Sequence, residues 1–278
     1  MNYVDLHSHL LPALDDGPGT FADSVALIEA AWKGGTRRMV ATPHMFHGGV
    51  GSDDRDEVVE RFVDFETRLA AHVAERRTQP AGTAGNEQEG EAAYLAGLEL
   101  ALGAENYVGE AFLGALATKR ILTLGGSHYL LMEFWPMVTA TTARQAIDAV
   151  QEQGFVPVLA HVERYAFLQN EPGRLADLVA AGSAAQVNAS AILGHQGLRL
   201  AEVADRWLRR GLIAVVASDG HDIRTRRPQL TEVADHLRAR HGGACEDHCL
   251  RLNPTAILAD EPIGLPPARR SRWWLGGR

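Results

Sequence analysis

From Tyr3 to Arg240, short apolar segments alternate with longer amphipathic ones. The short segments predict buried strands at Tyr3–Leu6, Arg38–Ala41, Tyr94–Leu100, Tyr129–Phe134, Val156–Ala160, Ala185–Val187 and Leu212–Ala217. The long ones predict helices at Phe21–Lys33, Asp56–Arg76, Thr141–Gln153, Pro172–Ala181, Leu198–Arg210 and Arg227–Arg240. Such alternation requires parallel strands joined by crossover helices, so the chain is an α/β protein, either a (β/α) barrel or an open doubly wound sheet.

Composition narrows these options. The chain has 278 residues, 46% of them hydrophobic, which suits one large domain or two small ones. The G-x-G-x-x-G fingerprint and the P-loop are both absent from the sequence, and this weakens the nucleotide-binding version of the open sheet. Beyond about Gly242 the chain becomes irregular and rich in proline. We therefore predict a catalytic barrel at 1–245 and an irregular C-terminal extension at 246–278, which ends in a basic, Trp-containing tail.

Charge and cysteine content predict the surroundings of the protein. With 27 basic and 35 acidic residues the formal charge is −8, which argues against nucleic acid as a partner. No apolar run approaches the roughly 20 residues that span a bilayer. Two cysteines cannot form a disulfide framework, so we expect a cytoplasmic location. A weak peripheral membrane contact of the tail, through Trp273 and Trp274 with their neighbouring arginines, is left open.

Potential metal ligands recur at or near the carboxyl ends of six predicted strands. They are His7 with His9, His44, Glu99, Glu133, His161, and Asp219 with His221, while Asp16 lies in the loop after the first strand. In parallel barrels this is the face at which active sites form. A single histidine there is usually an ordinary polar residue, and a glutamate can be an ion-pair partner. Recurrence at strand after strand instead predicts a metal centre, because buried carboxylates are costly unless they are paired or bind metal.

The motifs around these residues, taken in order, resemble those of the polymerase-and-histidinol-phosphatase (PHP) family. They are Asp5-x-His7-x-His9, Thr42-Pro43-His44, Gly97-x-Glu99, Leu131-x-Glu133-Phe134, His161-x-Glu163-Arg164 and Ser218-Asp219-x-His221. The chain is most similar to the bacterial metal-dependent protein-tyrosine phosphatases of capsular and exopolysaccharide operons. His7–Pro12 and Leu14–Pro18 support this closer resemblance, which extends over about residues 1–260.

The resemblance implies a distorted (β/α)₇ PHP-type barrel with three divalent metal ions at the C-terminal ends of its strands. By motif position, one metal would be held by His7, His9, Glu99 and Asp219. Glu99 would bridge to a second metal, completed by Glu133 and His161, and the third would be held by Asp16, His44 and His221. The resemblance favours Mn²⁺, although the mixed nitrogen and oxygen ligands also suit Fe and Zn²⁺. Asp5 is expected to support a histidine rather than to bind metal.

The implied reaction is hydrolysis of phosphotyrosine on a protein, by attack of a water that two metals activate. The implied substrate is the C-terminal tail of a bacterial tyrosine kinase that regulates capsular or exopolysaccharide synthesis. Arg164 and Arg226 match family arginines by position and are the expected phosphate-binding residues, since a guanidinium offers two parallel donors. Each could instead be an ordinary exposed arginine, and Arg224 and Arg227 are rivals for the role of Arg226.

Other functions stay open from the sequence. The chain could be a small-molecule phosphatase of the histidinol-phosphate type, another phosphoesterase of the PHP family, or a catalytically inactive regulatory binding module. The segment from Cys245 to Arg251 has the C-x₅-R spacing of cysteine-dependent tyrosine phosphatases. It lacks their glycines, and Glu246 and Asp247 would oppose both a thiolate and a phosphate. Finally, Thr78–Glu91 is typical of a solvated loop.

Overall fold

The computed structural model describes residues 2–78, 97–171 and 173–268. The predicted loop Thr78–Glu91 beyond its first residue, the start of the predicted strand Tyr94–Leu100 and the tail from residue 269 lie outside the described residues. Within the described ranges, no helix is long and apolar enough to cross a membrane.

Strands and helices alternate along the chain. The described strands are β1 (Tyr3–Ser8), β2 (Thr36–Ala41), β3 (His44–Met45), β4 (Glu99–Leu102), β5 (Glu105–Tyr107), β6 (Tyr129–Glu133), β7 (Val156–Leu159), β8 (Ala184–Asn188) and β9 (Val215–Ala217). The described α-helices are α1 (Phe21–Lys33), α2 (Arg55–Thr78), α3 (Glu110–Ala117), α4 (Ala140–Glu152), α5 (Ala166–Asn170), α6 (Arg174–Ala180), α7 (Ala189–Ile192), α8 (Leu198–Arg209), α9 (Thr231–His241), α10 (Gly243–Asp247) and α11 (Asn253–Leu258). A π-helical turn, His248–Leu252, joins the last two helices.

The strand pairs are all parallel. One sheet has the order β1-β2-β4 and the other β3-β5-β6-β7-β8-β9. The two sheets continue into each other, because the Gly103 amide donates to the Ala41 carbonyl (2.8 Å) and the Glu105 amide to the Pro43 carbonyl (3.1 Å). The first and last strands also meet, because Ser8 at the end of β1 forms a parallel bridge with Gly220, just after β9. This contact favours the barrel over the open sheet.

Side chains of β6 show how the strands divide the core. Leu130 and Met132 belong to the larger apolar cluster, which includes helix residues such as Trp207 of α8. Tyr129 and Leu131 belong to a second cluster with side chains of β1, β7 and β9. Successive residues of a strand point to opposite faces. By the same alternation Glu133, the last residue of β6, follows Leu131 onto the face of the second cluster.

Most of the predicted strands and helices are present in the described residues, but several differ. The strand predicted at Tyr94–Leu100 begins only at Glu99 in the described residues, and the short helices α3, α5 and α7 were not predicted. Two short strands, β3 and β5, were not predicted, because runs of two or three residues carry no periodic signal. Helix α9 begins at Thr231 rather than at Arg227, because a loop from Asp222 to Leu230 precedes it.

The segment after about Gly242 was predicted to be irregular, and it is instead helical through Leu258. Cys249, Leu250 and Ile257 are buried there, and the Asn253 side chain donates to the Ala214 carbonyl (2.8 Å) just before β9. The domain boundary at residue 245 stays a prediction.

Candidate metal centre

Eight of the nine predicted ligands meet at the carboxyl end of the strands. Histidine nitrogens and carboxylate oxygens form four overlapping groups, each with its ligand atoms within 4.8 Å of one another. The groups are His9, Asp16, His44 and His221; His7, His9 and Glu105; His44, His47 and Glu133; and Glu105, Glu133 and His161. Asp219 completes the cluster, with Oδ1 3.5 Å from His7 Nε2 and 3.6 Å from His9 Nε2.

Glu105 lies at the centre of this cluster. Its Oε2 is 3.2 Å from His7 Nε2, 3.3 Å from His9 Nε2 and 3.1 Å from His44 Nδ1. Its Oε1 is 2.6 Å from His161 Nε2. A carboxylate whose two oxygens face separate sets of histidines has the geometry of a ligand shared between metal ions.

Glu99 does not belong to the cluster, which corrects the prediction that it bridges two metals. Its side chain is 71% exposed and its Oε2 lies 2.7 Å from Arg38 Nε, whereas the Glu105 side chain is 1% exposed. The physical reason is strand register. Glu99 opens β4 opposite Arg38 of β2, so it lies near the amino end of the strands. Glu105 follows six residues later, opposite His44, and roughly 20 Å of extended chain separates the two positions.

The sequence did contain a signal for Glu105. The pattern Gly-x-Glu occurs twice in succession, as Gly97-Leu98-Glu99 and Gly103-Ala104-Glu105. The first copy follows a longer apolar run and therefore gave the better apparent strand end. The second follows the true strand, which Gly103 and Ala104 interrupt.

Supporting side chains fix the orientation of the histidines. Gln186 of β8 accepts a hydrogen bond from His7 Nδ1 (3.2 Å) and another from the His161 amide (2.8 Å) through the same Oε1. Asp15 Oδ2 lies 2.8 Å from His9 Nδ1. Each contact directs the opposite nitrogen, Nε2, of His7 or His9 into the cluster, as is common for metal-binding histidines. Gln186 carried no metal-ligand signal in the sequence and was missed.

Asp5 was expected to support a histidine, and its carboxylate instead contacts the backbone. Its Oδ1 accepts from the Ser218 amide (3.0 Å) and the His7 amide (3.4 Å), which ties the end of β1 to the end of β9. Because the group is buried, its pKa is raised to about 6. Asp5 thus positions His7 through its main chain.

The loop that carries Asp15 and Asp16 crosses directly over His9. A Cβ on Gly17 would lie 2.3 Å from the His9 carbonyl oxygen, so only glycine allows this approach. The crossing brings Asp16 Oδ1 to 3.0 Å from His221 Nε2 and 3.4 Å from His44 Nε2.

Two arginines converge on Asp219 from opposite sides. Arg164 Nη2 donates to Oδ2 (3.0 Å), and Arg226 Nη2 donates to Oδ1 (2.8 Å). Arg226 Nη1 also donates to Asp16 Oδ2 (3.1 Å). Asn188 of β8, which the sequence did not single out, donates to Asp219 Oδ2 (2.7 Å). The predicted phosphate-binding arginines therefore border the ligand cluster.

Backbone strain coincides with two of the predicted ligands. His161 has φ 30° and Asp219 has φ 53°, both in the left-handed region that residues with a Cβ rarely adopt. Such strain costs about 1–3 kcal/mol and persists where the surrounding structure holds it, commonly at functional sites. Here it turns each residue at the end of its strand toward the cluster.

The carboxylates of the cluster attract positive charge strongly. Burial acts to lower the pKa of His7, but Glu105 and Asp219 raise it to about 9. Burial also opposes charging of His44, yet Asp16 and Glu133 raise its pKa to about 11. Conversely, burial acts to raise the pKa of Glu105, and His7 and His161 hold it well below its usual range. Divalent cations would supply this positive charge and displace the histidine protons.

Unpaired polar atoms show that the residues fit metal ions. His44 Nδ1, His221 Nε2 and Glu133 Oε2 are buried and have no hydrogen bond of acceptable geometry. The Nε2 atoms of His7 and His9 also face each other at 3.3 Å, and without a proton between them they would both present lone pairs. Buried polar atoms normally have partners. A set of orphaned nitrogen and oxygen atoms around one space is a suitable ligand set for Mn²⁺, Fe or Zn²⁺.

We expect Gln186→Leu to weaken metal binding about 10- to 100-fold, because His7 and His161 would lose the acceptor that orients them. Isothermal titration of the metal-free protein with Mn²⁺ measures this change. Gln151→Leu is the matched control, since Gln151 donates to the Ala181 carbonyl away from the cluster. Equal metal affinity in both variants would contradict the orienting role.

The alternative nucleophile Cys245 lies away from this centre. It is buried, and Cys249, one helical turn later, donates to the Ile213 carbonyl (3.4 Å) near the amino end of β9. Arg251 makes two hydrogen bonds to Asp247 within the helical segment, at 2.6 and 2.8 Å. The C-x₅-R segment is therefore helical and does not form a phosphate-binding loop.

Known proteins resemble this chain over most of its length. A family model described as "Capsular polysaccharide synthesis, CpsB/CapC" matches residues 3–87 and 72–259. The tyrosine-protein phosphatase CpsB of Streptococcus pneumoniae is 28% identical over 265 residues, which cover 94% of this chain and 100% of that protein. The tyrosine-protein phosphatase YwqE of Bacillus subtilis (strain 168) is 29% identical over 264 residues, 95% of this chain and 94% of that protein.

Solved structures agree. A structure described as belonging to YwqE from Bacillus subtilis and CpsB from Streptococcus pneumoniae, "unique metal-dependent tyrosine phosphatases", superposes with a TM-score of 0.80 at 28% identity. The match covers 98% of this chain and 100% of that one. A dihydropyrimidinase from Brevibacillus agri, at 11% identity and a TM-score of 0.52, shares the fold alone.

Proposed function

Because the chain belongs to the CpsB/CapC family of capsular polysaccharide synthesis, we propose that it is a metal-dependent protein-tyrosine phosphatase. The main support is the position of Glu105, which faces four histidines beside two arginines held on Asp219. Relatives named tyrosine-protein phosphatase align with nearly the whole chain. The family resemblance that the motifs indicated is confirmed.

The ligand groups support three divalent ions in this centre. One would be held by His7, His9, Glu105 and Asp219; a second by Glu105, Glu133 and His161; and a third by Asp16, His44 and His221. Mn²⁺ is our preferred ion, with Fe and Zn²⁺ as alternatives. Counting β2 with β3 and β4 with β5 as single interrupted strands makes seven strands, and we propose the (β/α)₇ arrangement on that basis.

Bound metals would supply Lewis acidity and lower the pKa of a nearby water. Residues of the chain would bind and orient the substrate. Arg164 and Arg226 would donate forked hydrogen bonds to phosphoryl oxygens and hold the phosphorus against the cluster. A cavity of about 420 Å³, lined by Asp16, His221, Pro18 and Ile223, would receive the aromatic ring, and Arg226 contacts its wall at Asp16. Burial of the ligands excludes water and strengthens these interactions.

We expect Arg164→Gln to lower kcat/KM for a phosphotyrosine peptide about 10- to 100-fold, because hydrogen bonds to a charged group contribute about 1.5–3 kcal/mol. Steady-state kinetics with saturating Mn²⁺ measure the change. Arg144→Gln is the control, since Arg144 pairs with Asp148 on the exposed face of α4. An unaltered kcat/KM for Arg164→Gln would exclude Arg164 from phosphate binding.

Metal removal tests the proposed function directly. We expect dialysis against a chelator to abolish hydrolysis of a phosphotyrosine peptide, and Mn²⁺ to restore it, because the proposed nucleophile is a water whose pKa the bound metals would lower. Inorganic phosphate release is the measurement. Activity that survives removal of metal would contradict the proposal.

Two comparisons separate the alternatives. A phosphoserine peptide and histidinol phosphate should be poorer substrates, and a preference for histidinol phosphate would instead identify a small-molecule phosphatase. Cys245→Ser should retain activity, whereas loss of activity on treatment with iodoacetamide would favour a cysteine nucleophile. Absence of turnover with every substrate would favour a regulatory binding module.

The physiological substrate extends the same proposal. Relatives described by their role in capsular polysaccharide synthesis support a substrate in that process, and we place the phosphotyrosine on the C-terminal tail of a cytoplasmic bacterial tyrosine kinase. A cytoplasmic location for this chain follows from that substrate.

A further inference from the structure

We propose that a second cavity beside the centre is a subsite for another negatively charged group on the same substrate peptide. The enzyme would then prefer phosphotyrosines that have an acidic or phosphorylated residue nearby. This inference rests on the proposed phosphatase function and names the class of peptide that the site selects.

The second cavity has a volume of about 380 Å³. Its lining includes Ser190 and His195, which follow β8, and Arg224, Thr225 and Arg227 of the loop after β9. The space is large enough for a carboxylate or phosphorylated side chain, and hydroxyl, imidazole and guanidinium groups are all suited to binding an anion.

The two cavities share a wall. Arg224 and Thr225 line this cavity and also the 420 Å³ cavity that contains Asp16 and His221. Ser190 lies two residues beyond Asn188, which donates to Asp219. A peptide whose phosphotyrosine occupies the larger cavity would therefore carry its neighbouring side chains past Arg224 into the smaller one.

Hydrogen bonds within the shared loop hold its conformation. The Asp222 carboxylate accepts hydrogen bonds from the backbone amides of Arg224, Thr225 and Arg226, and from the Thr225 hydroxyl. Arg227 Nε also donates to the Arg224 carbonyl (3.0 Å). A prearranged loop loses little conformational freedom on binding, which favours recognition.

Charge distinguishes the three arginines of this loop. Arg226 is paired with Asp16 and Asp219. Arg224 and Arg227 form no ion pair with any carboxylate of the described residues, although exposed arginines such as Arg144 and Arg209 do. One carboxylate, Glu232, also lines the cavity, so the two guanidinium groups leave it net positive. In a chain of net charge −8, a cavity of net positive charge beside the centre attracts an anionic group.

Three peptides test the subsite. Each contains one phosphotyrosine, flanked by glutamine, by glutamate, or by a non-hydrolysable phosphonate analogue of phosphotyrosine. With the Mn²⁺-loaded enzyme we expect kcat/KM about tenfold higher for the anionic peptides than for the glutamine peptide, and a smaller ratio at high salt. If kcat/KM is higher for the phosphonate peptide than for the glutamate peptide, the preferred neighbouring group is a second phosphotyrosine. If the two values are equal, the subsite accepts any acidic side chain.

The ratio of kcat/KM for an anionic peptide to kcat/KM for the glutamine peptide tests the subsite. The R224Q/R227Q variant should bring it close to one, whereas R206Q, which alters an exposed arginine of α8 outside the cavity, should preserve it. A ratio near one in the natural protein, or an undiminished ratio in R224Q/R227Q, would overturn the subsite. Failure to hydrolyse even the glutamine peptide would overturn the proposed function instead. In that case, the three peptides are made with the phosphonate analogue in place of the hydrolysable phosphotyrosine. Fluorescence anisotropy then measures their affinities for the enzyme, and tighter binding of the anionic peptides would still support the subsite.

Discussion

Glu105→Gln is expected to lower kcat/KM for a phosphotyrosine peptide by at least about 10³-fold. The amide has nearly the same shape, but it removes the buried charge that His7, His9, His44 and His161 share. Removing one partner of a buried ionic cluster costs about 3–5 kcal/mol, and here the loss would affect two metal positions. Kinetics at increasing Mn²⁺, together with metal content by mass spectrometry, measure both effects.

Glu99→Gln is the matched control for this substitution. Its carboxylate is exposed and pairs with Arg38, and surface pairs contribute about 0–1 kcal/mol. We therefore expect normal metal content and turnover. The reverse pattern, with metal lost in Glu99→Gln and retained in Glu105→Gln, would refute the centre described above.

Asp219→Asn should lower kcat/KM on the order of 10²–10³-fold. The variant keeps side-chain shape, and asparagine tolerates the left-handed backbone found at this position, φ 53°. It removes the charge that Arg164, Arg226 and His7 face, so both metal affinity and the placement of the arginines should suffer. Metal titration and phosphatase kinetics together distinguish these effects.

Asp260→Asn provides a control with the same chemistry and a similar backbone. Asp260 has φ 57° and accepts hydrogen bonds from His128, in a surface contact away from the centre. We expect full activity and at most a modest fall in melting temperature. Equal losses of activity in the two variants would show that the effect at Asp219 is one of folding rather than chemistry.

Local patterns were sufficient for much of this protein. Buried parallel strands have nearly continuous apolar sequences, so strands such as β6 and β7 could be located from sequence. The predicted ligands that follow such runs within a few residues, including His44 and His161, could be located with them. Their meeting at one face follows from parallel topology, which places the carboxyl ends of all strands together.

Where strands are interrupted, their continuation could not be predicted from the sequence. The continuation of β4 into β5 depends on hydrogen bonds from Gly103 and Glu105 to the neighbouring strand, and no local pattern encodes them. Gln186 and Asn188 were missed for a related reason. An amide on a buried strand is informative only when its partners, here His7, His161 and Asp219, are known.

By itself the sequence determined the parallel α/β class, the family and the strand ends at which eight of the nine predicted ligands lie, because strand periodicity and residue chemistry are local properties. Only the tertiary structure decided that Glu105 rather than Glu99 occupies the centre, because register between β2 and β4 places Glu99 beside Arg38. It also decided that Arg226, among three arginines of one loop, contacts Asp16 and Asp219, because the hydrogen bonds of Asp222 set the direction of that loop. Each outcome includes a contact between residues far apart in the chain, Glu99 with Arg38 and Arg226 with Asp16, which no local pattern reveals.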